Sequence, residues 1–221
     1  MSTVPARLIG AASAAWAIAA LALCAVALAE PAEIEGYAYD EAKRCHSRPS
    51  PGALALVGWL DRHSRGSNWG IMRCSKLGKR NYSLHAEGRA VDWHLSAASP
   101  ADRRDAGRLI SLLLAPDEAG NRHALARRMG VQEIIWDCRS WWSGSDRMGP
   151  YSACFDRKGK RKRVDVTSAH RDHVHIGLNL DGARKRTSFW RRHSIFRTSA
   201  GALAAEQDLH RCRSRPLHRL G

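Results

Sequence analysis

Two groups of residues in this chain have the types and spacing that metal chemistry requires. The first runs from Ser83 to Asp92 in the pattern Ser-x-His-x-x-Gly-x-Ala-x-Asp, with His85 seven positions before the aspartate. The second is the run Asp-His-Val-His, from Asp172 to His175. Imidazole and carboxylate groups are the usual ligands of catalytic zinc sites, where three protein ligands leave one position open for water. Together the two groups predict a mononuclear Zn²⁺ site.

The two histidines of the second group occupy alternate positions. On a β-strand, His173 and His175 would project from the same face. Spacing alone therefore allows either histidine, or both, to join His85 and Asp92 as ligands. His94, which shares a predicted strand face with Asp92, is an alternative ligand.

The same residues carry a resemblance to a known enzyme group. The pattern Ser-x-His-x-x-Gly-x-Ala-x-Asp, followed by Asp-x-x-His with an inner His-x-His, resembles the motifs of the LAS-type zinc peptidases. That group includes lysostaphin-type enzymes, D-alanyl-D-alanine carboxypeptidases and the hedgehog signalling domain. The similarity extends from about Cys45 to Leu180. It is greatest to small secreted proteins of actinobacterial type with an extensin-like or D-Ala-D-Ala-peptidase-like domain.

The resemblance implies a role for each matching residue. His85, Asp92 and His175 would bind the zinc ion. Asp172 would be the general base that accepts a proton from the attacking water, at a position where related enzymes often have Glu. His173 would lie beside the metal and stabilise the transition state.

Two more residues match positions that contact ligands or substrate in this group. Ser83 would hold a ligand or the substrate, and Arg73 would bind a substrate carboxylate, for which the guanidinium fork is suited. The implied function is an exported zinc metallopeptidase, acting as carboxypeptidase or endopeptidase on peptidoglycan stem or cross-link peptides. The hedgehog relatives imply an alternative, a non-catalytic zinc-containing module that binds the cell wall.

The first 29 residues predict export. Arg7 precedes an apolar run from Leu8 to Ala29 that ends in Ala-Leu-Ala. This pattern is typical of a Sec-type signal peptide, here cleaved before Glu30. At about twenty residues the apolar run is long for a signal peptide, so an uncleaved membrane anchor is the alternative. We expect the protein to be secreted or associated with the cell envelope.

Export makes the cysteines candidates for disulfides before metal ligands. No Cys-x-x-Cys pair is present. Four cysteines flank the two halves of the resembling domain, and we expect the pairs Cys45–Cys74 and Cys138–Cys154. Sequence alone allows three pairings among four cysteines. Cys212 is left over in the C-terminal tail.

The net charge of +15 predicts anionic partners. Basic residues concentrate in a loop, Arg157–Arg163, and in a C-terminal extension, residues 183–221. In an exported protein these segments would attract anionic cell-wall polymers, and no specific nucleic acid is expected. Binding or cleavage of nucleic acid is the weaker alternative.

The predicted elements indicate one α+β domain, residues 45–182, after a poorly ordered lead-in, residues 30–44. Ser-Pro steps at Ser50 and Ser99 predict two helix starts, and Asn121 is expected to cap a third, shorter helix. Alternating patterns predict strands at Arg89–Leu95, Val131–Asp137 and Val174–Leu180. We expect a small antiparallel sheet that carries the zinc site and is flanked by helices. Its tryptophans Trp136, Trp141 and Trp142 would either line a substrate groove or pack in the core.

Overall fold

The computed structural model describes residues 34–76 and 82–195. These residues form an α+β structure around one six-stranded antiparallel sheet, as predicted. The strands, in chain order, are β1 (Ser67–Gly70), β2 (Ala90–His94), β3 (Val131–Trp136), β4 (Arg139–Trp142), β5 (Gly149–Pro150) and β6 (His173–Leu178). Their order across the sheet is β1-β2-β6-β3-β4-β5, so β6 pairs with both β2 and β3.

Within the described residues, five α-helices accompany the sheet. They are α1 (Pro51–His63), α2 (Pro100–Leu114), α3 (Ala124–Met129), α4 (Leu180–Ala183) and α5 (Ser188–Ile195). Both predicted Ser-Pro helix starts are confirmed. The hydroxyl of Ser50 accepts the N–H of Ala53 at 3.2 Å, and that of Ser99 accepts the N–H of Asp102 at 3.3 Å.

The start of α3 differs from the prediction. Asn121 does not cap this helix, because its side chain donates to Asp117 at 3.0 Å within the preceding loop. The residue at the cap position is His123, in the left-handed conformation and without a side-chain capping bond. The helix ends at Gly130, which lies in the left-handed region at φ 73°.

Alternation along the central strands separates the sheet into two faces. One face joins the helices in the hydrophobic core and contributes Val91, Trp93, Ile134, Val174 and Ile176. The opposite face carries Asp92, Glu133 and His175. The strand register places Asp92 directly opposite His175. The polar side chains of three neighbouring strands therefore lie together on the face that the core does not use.

The lead-in segment is better anchored than its composition predicts. Arg89, with only 2% of its surface exposed, donates to Glu87 at 2.8 Å and to the Asp40 carbonyl at 2.9 Å. The Lys43 N–H also donates to Glu87, at 2.9 Å. These buried polar contacts bind residues 34–44 to the sheet. Composition alone does not reveal these long-range partners of residues 34–44.

Both expected disulfides are present. Cys45–Cys74 and Cys138–Cys154 each have a Cα–Cα distance of 5.5 Å. Two disulfides are compatible with a secreted protein. The segment predicted to be a signal peptide, Cys212 and the part of the basic extension beyond residue 195 lie outside the described residues. Within residues 34–76 and 82–195, no helix has the length and apolar character needed to cross a membrane.

Candidate metal site

The first sequence motif folds into a tight turn that leads into β2. The hydroxyl of Ser83 accepts the N–H of His85 at 3.3 Å and begins a 3₁₀ turn, Leu84–Glu87. The chain then reverses and enters β2, where Asp92 follows. Ser83 thus supports a candidate ligand through the backbone, which is compatible with the supporting role that the resemblance implies for it.

Gly88 is the residue that makes this reversal possible. It lies in the left-handed region at φ 63°, and its N–H donates to the His85 carbonyl at 3.1 Å. A Cβ at this position would approach Met72 Sδ to 2.7 Å and the Arg48 carbonyl to 2.8 Å. Conformation and space therefore both require glycine here.

Three side-chain atoms from the two motifs converge on one point. His85 Nε2 lies 3.0 Å from Asp92 Oδ1 and 3.1 Å from His175 Nδ1. The remaining side of this triangle, from His175 Nδ1 to Asp92 Oδ1, is 3.0 Å. All three residues are buried. The structure thus brings together the three residues that the resemblance assigns to the metal.

Hydrogen bonds on the far sides of the His85 and His175 rings determine which ring nitrogens carry protons and which face Asp92 as lone pairs. His85 Nδ1 is 2.9 Å from the Ile71 carbonyl, which can only accept, so this nitrogen carries the proton. His175 Nε2 donates in the same way to the carboxylate of Glu133, at 2.7 Å. The inward nitrogens of the neutral rings therefore present lone pairs beside Asp92 Oδ1. Three electron-rich atoms this close repel one another unless a cation lies between them.

The size of the triangle suits a metal ion. Zinc bonds of about 2.0–2.1 Å at tetrahedral angles separate neighbouring ligand atoms by about 3.3 Å. The observed separations of 3.0–3.1 Å are close to that value. His85, Asp92 and His175 could therefore bind one metal ion with little rearrangement.

In the absence of a metal ion, a second proton on the His175 ring supplies the positive charge between these atoms. Burial alone would lower the pKa of His175, but hydrogen bonds to Asp92 and Glu133 outweigh it and raise the pKa to about 9. Burial alone would raise the pKa of Asp92, yet the bonds from His175 and His85 hold that pKa far below its ordinary value. The site thus combines an ionised carboxylate with an imidazole that keeps a proton at neutral pH.

Glu133 belongs to this site although the sequence analysis did not identify it. It lies on β3 beside β6 and is buried. Its carboxylate accepts a hydrogen bond from His175 Nε2–H, on the side of the ring that faces away from Asp92. Carboxylates commonly hold metal-binding histidines in this way, fixing the tautomer and increasing the basicity of the ligand. One signal was available, since Glu133 is an acid in the middle of a β-rich stretch, Val131–Trp136, that is otherwise mostly apolar.

Asp172 and His173 form a pair next to the triangle. Asp172 Oδ1 accepts a hydrogen bond from His173 Nδ1 at 2.7 Å, and Oδ2 accepts one from the Thr167 hydroxyl at 2.5 Å. Burial by itself would raise the pKa of Asp172, but these two bonds outweigh it and lower the pKa. The other ring nitrogen of His173 lies 3.5 Å from Asp92 Oδ1. His173 is thus adjacent to the candidate ligands, and Asp172 orients it.

His94 is not one of the converging residues. Its Nδ1 lies 2.9 Å from the Asp172 carbonyl and donates a hydrogen bond to it. The indole of Trp69 packs on its ring, with centroids 4.6 Å apart, and is itself about half exposed. His94 therefore supports the backbone of Asp172 and lies beneath an exposed aromatic surface.

A cleft of about 180 Å³ opens beside the triangle. Arg73 lines it with a side chain that is 58% exposed and has a guanidinium nitrogen 3.6 Å from Asp92 Oδ2. Ser83, Glu133 and His175 form its inner wall. The aromatic residues of the cleft are Tyr39, Tyr82, Trp142 and Tyr151. Of the three tryptophans considered above, Trp142 lines the cleft, while Trp136 and Trp141 pack in the core.

His170 is a second residue of the site without a sequence signal. Its ring centroid lies 4.6 Å from that of His173 and 5.7 Å from that of His175, and it lines the cleft. Its Nδ1 is buried and has no hydrogen-bond partner among the described residues. Burial, with smaller contributions from His175 and His173, lowers the pKa of His170 to about 3. The ring is therefore neutral at physiological pH.

Comparison with known proteins identifies a family. The family model described as VldE, C-terminal domain, matches residues 53–164. This range contains Arg73, Ser83, His85 and Asp92, whereas β6 with its histidines follows it. Searches of the curated proteins and of the solved structures gave no match. Because the model covers about half of the chain, the chain belongs to the family of the VldE C-terminal domain.

Proposed function

We propose that this protein is an exported zinc metallopeptidase of LAS type that hydrolyses peptidoglycan stem or cross-link peptides. The observation that carries the proposal is the convergence of His85 Nε2, Asp92 Oδ1 and His175 Nδ1 within 3.1 Å of one another. An adjoining cleft gives access to this point. The ligand set of two imidazoles and one carboxylate, with room on the cleft side, is typical of catalytic zinc. Other divalent ions can also occupy such a set.

A zinc ion held by these residues would supply Lewis acidity and acidify the attacking water. The protein itself must then move protons. Asp172 holds the Nδ1 proton of His173 and so fixes the direction of that ring. A protonated His173 would present its Nε2–H beside Asp92, where charge develops on the substrate oxygen. The proton that Asp172 takes from water would afterwards pass to the leaving amine, so that His173 keeps its own.

Two groups are candidates for taking the proton from water. The resemblance assigns this role to Asp172, whose oxygens both accept hydrogen bonds from other side chains. His170 offers a buried Nδ1, which has no hydrogen-bond partner in the part of the chain that the structure describes, on a neutral ring in the same cleft. We assign the role to Asp172, acting together with His173, and treat His170 as the competitor.

The cleft supports a peptide substrate with a free carboxylate. Among the described residues, Arg73 is the Lys or Arg that lines the cleft, and its long, exposed side chain can form a two-pronged contact with a terminal carboxylate. Trp142 and the tyrosines of the cleft offer flat apolar surfaces for short side chains. Binding between Arg73 and the triangle would place the last peptide bond of a stem peptide beside the candidate metal.

The test is digestion of purified muropeptides by the zinc-loaded protein, beginning at Glu30, with product analysis by mass spectrometry. Loss of one terminal D-alanine indicates a carboxypeptidase, and conversion of cross-linked dimers to monomers indicates an endopeptidase. We expect His85→Ala to abolish either reaction. His63→Ala is the matched control, because His63 stacks on Trp59 in α1, far from the motif in sequence. No cleavage by protein carrying one zinc per chain would contradict the proposal.

One observation favours the non-catalytic alternative. Both oxygens of Asp172 accept hydrogen bonds, which lower the pKa of this carboxylate and make it a weaker base. A zinc-containing module that binds wall peptides would retain the triangle and Arg73 without needing a base. Such a protein would bind muropeptides in a zinc-dependent manner and release no product.

A further inference from the structure

The basic loop identified in the sequence forms a defined hairpin. Phe155 and Arg161 pair as an antiparallel bridge, and the Asp156 N–H donates to the Lys160 carbonyl at 2.9 Å. We call residues 155–163 the basic hairpin. Six of the seven residues from 157 to 163 are Lys or Arg, and all of them are exposed. The hairpin therefore presents a dense cluster of cations to solvent.

These cations have no carboxylate partners in the part of the chain that the structure describes. Elsewhere, many arginines form ion pairs with acids, namely Arg65, Arg89, Arg108, Arg122, Arg128 and Arg171. The one acidic residue of the hairpin, Asp156, contacts its backbone. Asp156 Oδ1 accepts the backbone N–H groups of Lys158 and Lys160, at 2.9 and 2.8 Å. Six cations and this one carboxylate give residues 155–163 a formal net charge of +5, which favours an external anion.

The hairpin is held in place before any ligand binds. The Cys138–Cys154 disulfide ties its base to the sheet. Both cysteines are buried in a small cluster with Ala169, and Phe155 and Val164 pack against it. A surface that is already ordered loses less conformational entropy on binding than a flexible tail.

The hairpin also adjoins the cleft of the candidate metal site. Tyr151 precedes it by a few residues, bonds through its N–H to the Cys138 carbonyl at 2.9 Å, and lines the cleft. Its ring also packs on His170, with centroids 5.2 Å apart. A polymer bound along the hairpin would therefore lie close to the entrance of the cleft.

We propose that the basic hairpin binds a linear phosphodiester polymer of the cell envelope. Closely spaced Lys and Arg side chains suit repeated phosphates, and the guanidinium groups can contact two oxygens of one phosphate. The aromatic residue of the hairpin, Phe155, packs against the buried disulfide, and the exposed residues 157–163 include no ring on which a nucleic-acid base could stack. The two disulfides fit the oxidising compartment in which envelope polymers occur. This proposal stands apart from the peptidase proposal, since it involves neither the triangle nor the cleft.

The experiment measures the affinity of the full chain for poly(glycerol phosphate) at several salt concentrations, with oligothymidylate of equal phosphate number in parallel. The test variant is the triple substitution Lys158→Ser, Lys160→Ser and Arg163→Ser. The control removes the same charge from exposed arginines of α1 and α2 through Arg62→Ser, Arg103→Ser and Arg104→Ser. Both variants have the same net charge, so only the location of the lost cations differs.

We expect wild type and control to bind the polymer within about threefold of each other. We expect the hairpin variant to bind at least tenfold more weakly. The slope of log affinity against log salt should fall by about 2, at roughly 0.7 for each lost phosphate contact. Equal losses in the two variants would overturn the proposal, because net charge alone would then explain binding. Tighter binding of oligothymidylate than of the polymer would also overturn it, in favour of a nucleic-acid site.

Discussion

His175 Nε2 lies 2.7 Å from Glu133 Oε1, and both side chains are buried. This contact fixes the orientation of the imidazole, because a proton held on Nε2 leaves Nδ1 facing His85 and Asp92. The carboxylate also increases the basicity of the histidine as a ligand. Glu133 is therefore part of the candidate metal site, although 42 residues separate it from His175.

Glu133→Gln should weaken zinc binding by about 10- to 100-fold, as is usual when such an outer partner is lost. The amide oxygen of glutamine can still accept a hydrogen bond from His175 Nε2–H but carries no negative charge. We therefore expect the fold to persist. Competition with a chromophoric chelator measures the affinity. Glu41→Gln is the control, since Glu41 lines the same cleft but is exposed. Equal affinities of both variants would show that Glu133 does not support the site.

Zinc affinity should depend on pH through His175. Its pKa of about 9 lies above neutral pH, so at pH 7.5 the metal-free site holds a proton that zinc must displace. Apparent affinity should therefore rise about tenfold per pH unit from pH 6.5 to 8.5, and level off above pH 9. Calorimetry in two buffers of different ionisation enthalpy counts the protons released. We expect one for each zinc at pH 7.5, and a count of zero would contradict this description of the site.

The local sequence was sufficient to predict the elements that carry the first motif. Ser50 and Ser99 begin helices as predicted, and β2 presents Asp92 on the face opposite Val91. These features depend on caps and on a two-residue alternation, both of which are local. The apolar face of α1 is set by packing on the sheet, which leaves Leu54 exposed and buries Leu56.

The residues that sequence analysis missed depend on contacts between distant segments. Glu133 reaches His175 because β3 and β6 are neighbours in the sheet, and strand order is not encoded in any single strand. His170 precedes β6 in a loop, and its packing against His173 follows from the path of that loop. The anchoring of Asp40 by Arg89 is likewise a contact between segments far apart in sequence. Contacts of this kind depend on the tertiary structure and cannot be predicted from local sequence patterns.

Gly88→Ala should destabilise the protein and loosen the turn that positions His85. A left-handed non-glycine residue costs about 1–2 kcal/mol. Crowding against Met72 and Arg48 adds a further cost of about 1–3 kcal/mol. Denaturant unfolding of the metal-free protein measures the loss. Gly107→Ala, in the middle of α2 with open space around it, should instead stabilise by up to about 1 kcal/mol. A Gly88→Ala variant as stable as wild type would refute the proposed reason for glycine.

Asp172→Asn should lower kcat on muropeptides by about 10²- to 10⁴-fold, as expected for the loss of a general base. The amide oxygen of asparagine can still accept a hydrogen bond from His173 Nδ1–H, so zinc content and KM should change little. Asp165→Asn is the control, since Asp165 accepts a backbone N–H from Ser168 in the preceding loop. If Asp172→Asn retains its kcat and His170→Gln loses it, the proton passes to His170 and our assignment is wrong.

The most direct test of the whole account is the metal content of the purified protein, beginning at Glu30, beside Asp92→Ala. Elemental analysis should find about one zinc per chain in the wild type and none in the variant, because the three converging atoms then lose their only anionic member. A wild-type protein purified without chelators and still free of metal, even after incubation with zinc, would contradict the account. The close approach of His85, Asp92 and His175 would then reflect a proton shared within the fold.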